Sequence, residues 1–465
     1  MSATASTLVA RLAEIVGEAN LVADPNDLAG YAIGALRPSA AIRPGSADET
    51  AEIVKCAAAD KLGVVACGAR TKLDIGLPPR KYDLAIDMTR MDRIVAYDPD
   101  DLTLSVEAGI PLHKLGAALA ERQQFLPLAV PFLNRTTIGG TIASAMDSPL
   151  RQLYGTARDF ILGMEFVTGD GTLAKSGGRV VKNVTGYDLH KLMIGAFGTL
   201  GVITKINFRT FPLPRQTRAF VANFDSPARA LDLRARVSRS HLKPLTMEIF
   251  GPGVADLFYS EHAARAEANA LPPNLLTNRG WAFTCGVAGV DKVLERFEAE
   301  LRAMAEQSGA QSFSTISTAA EIRGAFGCKR EFAPIALESS PAAVVMKASV
   351  VPSRVGDILA EIDAAMARET LRCAVMARGV GVIYAALLPD APTEAAGERV
   401  ARVANQIQAA CEKAGGHATI PWCPSEWKSA LKIWGAERGV EQMRKVKSVF
   451  DRHGVLSPGR FVGGL

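Results

Sequence analysis

A chain of 465 residues exceeds what one hydrophobic core usually supports, which implies two domains. Its 53 basic and 48 acidic residues leave a net charge of +5, with no basic block and little aromatic interleaving, so charge gives no sign of nucleic-acid binding. Seven scattered cysteines without a C-x-x-C spacing argue against a disulfide framework and against an iron–sulfur or zinc site on this chain.

The N-terminal stretch MSATASTLVARLAEIVGEAN has acidic residues and a helical apolar period where a signal peptide would have a basic start and a continuous apolar run. No run of about 18 apolar residues offers a membrane span. A reducing, cytoplasmic setting is expected. In chain order, Ser46 followed three residues later by Glu49 forms a capping-box pattern that opens an apolar-periodic helix over 50–62. Segments 64–67 and 84–88 read as buried strands, and 94–97 with 102–106 as a hairpin around Asp98-Pro99-Asp100-Asp101. Pro111 starts a helix to about residue 122, since its missing donor would be unpaired in a first turn anyway. Segments 160–168 and 172–176 form a second hairpin around Gly169-Asp170-Gly171, and 202–208 a further strand.

Pro212 and Pro214 then mark a boundary. Beyond it, helical segments 225–239, 291–308, 354–369 and 394–414 and strands 343–351 and 380–388 predict an α+β unit whose sheet is covered on one face. From about Pro421 the composition changes again, with Trp422, Trp427 and Trp434 in short succession.

Three glycine-bearing segments carry the chemistry. Residues 177–203, GGRVVKNVTGYDLHKLMIGAFGTLGVI, hold six glycines in 27 positions. Upstream lie Ile138-Gly139-Gly140-Thr141-Ile142-Ala143-Ser144 and Cys67-Gly68-Ala69-Arg70-Thr71-Lys72. Backbone N–H groups exposed by small residues at turns suit the pyrophosphate of a dinucleotide. None of the segments is a P-loop, and Gly379-Val380-Gly381 lacks the strand and long helix of a Rossmann fingerprint.

Taken in order, the segments resemble the FAD-binding domain shared by vanillyl-alcohol oxidase, p-cresol methylhydroxylase and the FAD-linked glycolate and D-lactate dehydrogenases. The small FAD-binding subunit of bacterial glycolate oxidase is similar at 71–76, at Gly139-Gly140 with Tyr154-Gly155 and Arg158-Asp159, at 177–188 and at 195–202. The resemblance implies an α+β fold: a two-part PCMH-type FAD-binding domain over 1–214, an α+β cap over 215–420, and a C-terminal segment, 421–465, that returns to the first domain. It implies FAD contacts from Gly68, Ala69, Arg70, Thr71, Lys72 and Leu73 at the pyrophosphate. Gly139, Gly140, Thr141 and Ser144 would run beside pyrophosphate and isoalloxazine, with Gly155 in the same motif. Gly198, Gly201, Val202 and Ile203 would hold adenine and ribose. Lys182, Asn183, Tyr187 and Asp188 would either brace their loop or touch flavin or partner.

Three departures matter. Relatives commonly have three glycines where this chain has Gly68-Ala69-Arg70, so Arg70 could pair with the diphosphate or reshape the loop. The loop also lacks the histidine of covalent-flavin relatives, so FAD should be noncovalent. Ser457 stands where the family ending usually has asparagine and keeps a donor and an acceptor for a flavin contact. Arg158 beside Asp159 reads as a structural ion pair, and His113 and His190 as surface or packing residues. In the second domain Arg378 and Arg323 are the candidate clamps for a substrate carboxylate, and no histidine spacing supports a metal.

The implied function is oxidation of a small 2-hydroxy acid within a glycolate oxidase-like complex. A sister FAD-linked subunit and an iron–sulfur subunit would be the partners. A stand-alone dehydrogenase and a non-catalytic scaffold are the open alternatives.

Overall fold

The protein is described by a computed structural model, which covers residues 3–179, 186–265, 271–277 and 280–465. The architecture is α+β. A first sheet has the strand order Leu21–Val22, Ala40–Ile42, Leu84–Asp87, Val64–Cys67, and its last three strands run parallel. Helix Ala47–Ala59 packs Ile53, Val54 and Ala57 into one core with Leu12 and Val16 of helix Ala3–Val16. Its start carries half of the capping box read in the sequence: Ser46 accepts from the Glu49 amide at 3.0 Å, whereas Glu49 accepts from the Gly45 amide at 2.7 Å and not from that of Ser46. Ser46→Ala is expected to cost about 1 kcal/mol in urea unfolding. A loss of a few tenths or less would show that the cap is not formed.

A second, antiparallel sheet has the order Ile94–Asp98, Thr103–Glu107, Val202–Arg209, Ile161–Val167, Leu173–Gly177. Both expected hairpins are there, within a residue or two at each end. Pro111 is the residue before the helix Leu112–Ala120 and not its first turn.

The larger sheet is antiparallel and, among the described residues, eight-stranded. Its order is Ser312–Ile316, Thr217–Phe224, Trp281–Ala288, Thr246–Phe250, Arg372–Arg378, Val382–Leu388, Val344–Ser349, His417–Trp422. Side chains alternate between two cores. Phe220, Ala222 and Phe224 pack with helices Pro227–Arg239, Asp291–Gln307, Val355–Glu369 and Glu394–Lys413. Ala219 and Val221 face helices Val254–Phe258, Ala319–Arg330 and Phe332–Ser339. The sheet is therefore covered on both faces, not one. Burial on both sides removes the polar alternation by which a half-exposed strand is recognised in four of the six strands not read in the sequence; the edge strands Ser312–Ile316 and His417–Trp422 are only partly buried.

The C-terminal segment comes back to the first sheet. The Val64 amide donates to the Val455 carbonyl at 2.8 Å, and the Ser457 amide to the Val64 carbonyl at 2.7 Å, so residues 455–457 extend that sheet beside Val64–Cys67.

Candidate functional site

One cleft of about 750 Å³, part of it open to solvent, gathers the three glycine-bearing segments. Gly68, Ala69, Arg70, Thr71, Lys72 and Leu73 line it where the chain leaves strand Val64–Cys67. Gly139 and Gly140 reach it from the short helix Ile138–Ala143, followed by Ser144. Gly198, Gly201, Val202 and Ile203 close it at the start of strand Val202–Arg209. These segments lie up to 135 residues apart in sequence and meet because both sheets turn their strand ends toward one place.

Close backbone approach explains the composition. A Cβ on Gly68 would lie 2.0 Å from Thr137 Oγ1, and one on Gly139 would lie 2.8 Å from the Ala108 carbonyl oxygen. Only hydrogen fits at either position. Two residues that line the cleft have left-handed φ, Arg70 at 63° and Phe197 at 53°, as do Ala145 at 46°, next to the lining residue Ser144, and Ser457 at 44°. Such strain collects where a fold over-determines its backbone for a ligand, and no sequence pattern announced it. Ala69 does not share it. Arg70 alone takes the left-handed turn, with its guanidinium 4.5 Å over the Tyr31 ring.

Three cations border the space. Lys72 Nζ donates to Thr136 Oγ1 and, at 3.2 Å, to Thr71 Oγ1. Burial pulls its pKa down to about 7, against the opposing pull of Glu331. Glu331, from the larger domain, accepts the Phe132 amide at 2.8 Å and the Leu133 amide at 3.4 Å and pairs with Arg330 at 2.7 Å. Arg460 is buried and donates to the carbonyls of Leu73 and, at 2.8 Å, Ile75, so it braces the first loop from below; burial lowers its pKa to about 10. The Cys67 thiol at the cleft edge is pushed up by burial and stays protonated, and no histidine lines the cleft among the described residues.

Ser457 does not line the cleft but abuts it: a Cβ on Gly198 would sit 3.3 Å from Ser457 Oγ. That oxygen is buried and without a hydrogen-bond partner among the described residues. An orphaned hydroxyl, a cradle that only glycine permits and a cationic rim suit a phosphate-bearing dinucleotide, so the donor set fits FAD. Ser457→Ala is expected to leave the apoprotein's thermal midpoint within a degree or two while weakening FAD binding two- to tenfold, read by flavin fluorescence titration. Unchanged affinity would remove Ser457 from the site.

Other sequence candidates lie elsewhere. Thr141 is buried and donates to the Thr137 carbonyl at 2.9 Å, off the cleft. Gly155 borders a second cavity, and a Cβ there would meet Asp159 Oδ2 at 2.6 Å. Arg158 does not pair with Asp159: it donates to the Lys191 carbonyl at 2.8 Å, while Asp159 caps the turn at Thr156. Arg378 is no free clamp, because it is buried against Asp147 at 2.8 Å with the Tyr384 ring 5.3 Å away. Arg323 is exposed on helix Ala319–Arg330 and lines neither cavity. His190 packs in the interior against Ser176 Oγ at 3.1 Å. Tyr187 is exposed and Asp188 pairs with Lys191 at 2.7 Å. Lys182 and Asn183 lie outside the described residues.

Fold and cleft together define a flavin-dependent oxidoreductase. The family profile described as "FAD binding domain" matches residues 38–177, and the one described as "FAD linked oxidases, C-terminal domain" matches 213–420. The chain belongs to the FAD-linked oxidases, and its cofactor is FAD. It is 24% identical to glycolate oxidase subunit GlcD of Bacillus subtilis, across 91% of this chain and 88% of that one. It is 39% identical to glycolate oxidase subunit GlcE of Escherichia coli, across 35% of this chain and 47% of that one. Among solved structures, p-cresol methylhydroxylase shares the fold at 16% identity, with a TM-score of 0.79 over 99% of this chain and 97% of that one.

Proposed function

We propose that this oxidoreductase takes part in oxidising a small 2-hydroxy acid to the 2-oxo acid, with FAD held noncovalently in the cleft. Electrons would pass to an iron–sulfur partner in a complex that also holds a sister FAD-linked subunit. The observation that carries the reading is the convergence of three glycine-bearing segments and the Ser457 hydroxyl on one cation-rimmed cleft. The substrate class follows from the relatives, which include glycolate oxidase subunits and a D-lactate dehydrogenase of Anaerostipes hadrus.

Converting CH–OH to C=O releases two electrons and two protons, and bound FAD supplies the two-electron acceptor. The chain's own part is placement. Arg70, Lys72 and Arg460 offset the cofactor's negative charge, and Gly68 and Gly139 let the backbone come close. Lys72, whose pKa burial lowers to about 7 in the FAD-free protein, would be held protonated by the cofactor's negative charge. The absence of a C-x-x-C spacing favours an acceptor centre on another chain. No helix of the described residues is long and apolar enough to cross a membrane, and a peripheral, partner-mediated place at the cytoplasmic face suits the reading.

A second reading, a stand-alone dehydrogenase, is favoured by full-length similarity. The chain aligns over 91% of its length, and 73% of the relative's, with the mitochondrial D-lactate dehydrogenase [cytochrome] of Arabidopsis thaliana. Anaerobic bleaching of the flavin by glycolate or D-lactate in the isolated chain would establish that second reading. Bleaching only after co-purification with an iron–sulfur protein would establish the first. Protein that stays colourless with added FAD would sink both, and yellow protein that keeps its flavin through acid precipitation would sink noncovalent attachment.

A further inference from the structure

The turn at Phe132 is held from the other domain. Phe132 takes a left-handed φ of 61°, and its amide and that of Leu133 both point into one carboxylate: Glu331 accepts the first through Oε2 at 2.8 Å and the second through Oε1 at 3.4 Å. Successive amides at a left-handed residue make a small anion-binding hollow. Here the anion is a side chain of the larger domain, from the junction of helices Ala319–Arg330 and Phe332–Ser339.

A peg that only braced a turn would not need a charge. Glu331 is 2% exposed, and a carboxylate so buried is costly unless cations answer it. Arg330 is one, its Nε 2.7 Å from Oε1. The other lies across the domain boundary. Among the described residues, Glu331 is the carboxylate whose charge raises the proton affinity of Lys72, against the burial that lowers it. No carboxylate lines the cleft itself among those residues. Arg70 and Arg460 line it together with Lys72, and Arg135 stands 5.6 Å from the Phe132 ring.

The link is mechanical as well as electrostatic. The Phe132 ring lies 6.0 Å from Lys72 Nζ. The Arg135 amide donates back to the Phe132 carbonyl at 2.9 Å, and the next residue, Thr136, supplies a hydroxyl acceptor to Lys72 Nζ. Thr136 and Lys72 both line the cleft. A turn that shifted at Phe132 would carry Thr136, and with it the lysine's hydrogen bond.

We propose that Glu331 is a positioning residue through which the larger domain controls FAD binding: its carboxylate fixes the Phe132 turn beside Lys72 and keeps that lysine a cation for the cofactor's phosphates. The proposal rests on FAD in this cleft and needs no hydroxy acid, so its failure would leave the substrate reading intact.

The test is flavin fluorescence titration of the FAD-free protein with FAD from pH 6 to 9. Wild-type affinity should fall as pH rises through the titration of Lys72, since the cofactor favours the protonated amine. Glu331→Gln keeps an oxygen for the Phe132 amide and removes the charge. The fall should then begin about 0.7 pH units lower, so that the loss against wild type grows from less than about twofold at pH 6 to about fivefold at pH 8. Arg330→Gln removes the competing cation and should move the fall the other way, to higher pH, which decides the matter if Glu331→Gln does not fold. In a Lys72→Met background, Glu331→Gln should change affinity by less than about twofold. A loss of the same size at every pH would reduce Glu331 to a brace and overturn the proposal. So would an undiminished loss in the Lys72→Met background, or a pH profile that neither Glu331→Gln nor Arg330→Gln moves. Wild-type protein that takes up no FAD at any pH would overturn the cleft reading along with it.

Discussion

Gly68→Ala is expected to yield protein that folds but emerges from gel filtration largely free of flavin. The added Cβ would lie 2.0 Å from Thr137 Oγ1 and 2.9 Å from Thr137 Cγ2, distances that no packing tolerates. Relief requires the first loop or the start of helix Ile138–Ala143 to move. Both line the cleft, and Thr137 also caps that helix by accepting from the Gly140 amide. The strain should cost about 1–3 kcal/mol of stability, and the widened geometry should lower FAD affinity at least tenfold. Gly116 serves as the control. It sits in helix Leu112–Ala120 with nothing within 4 Å of a built Cβ, so Gly116→Ala should stabilise by up to about 1 kcal/mol and keep its flavin. A Gly68→Ala protein with a full flavin-to-protein absorbance ratio and a native melting temperature would refute this packing of the first loop against Thr137.

That prediction also marks what a sequence can convey. Glycine density and short-range order identified the three segments, because a backbone that must come close to something leaves its trace in composition. The hairpins of the second sheet were legible for a similar reason: Asp98-Pro99-Asp100-Asp101 and Gly169-Asp170-Gly171 are local turn chemistry. The larger domain was half legible. Its amphipathic helices carry a period that survives burial on one side, whereas strands such as Trp281–Ala288, buried on both, carry none. Long-range electrostatics left no trace either. Arg378 was read as a free clamp because Asp147, 231 positions earlier, is what claims it. The first loop shows an intermediate case: three glycines reduced to Gly68-Ala69-Arg70 suggested a changed loop. The left-handed turn persists at Arg70, whose stacking on Tyr31 helps to hold a conformation that glycine would adopt freely.

The remaining large effect belongs to Lys72. An amine with a pKa of about 10.5 in the unfolded chain and about 7 in the folded one makes stability depend on pH in a definite direction. Between those values the unfolded chain carries a proton that the folded chain lacks, so unfolding takes up protons and stability from this group rises with pH. Below about pH 7 both states are protonated and the burial penalty is felt in full, on the order of 5 kcal/mol at most for a shift of that size. Lys72→Met removes the titration and keeps the apolar stem. FAD-free variant protein should therefore resist urea better than wild type at pH 6.5, by several kcal/mol, with the two curves converging as pH approaches 10. Other groups titrate alike in both proteins, so the difference isolates Lys72. The cofactor should reverse the ordering. Its negative charge favours the protonated amine, so wild-type FAD affinity should fall from pH 7 to 9 while that of the variant stays flat. Parallel urea curves across that range would mean that Lys72 is solvated and charged in the folded chain. An FAD affinity with the same pH dependence in both proteins would mean that the cofactor does not feel it.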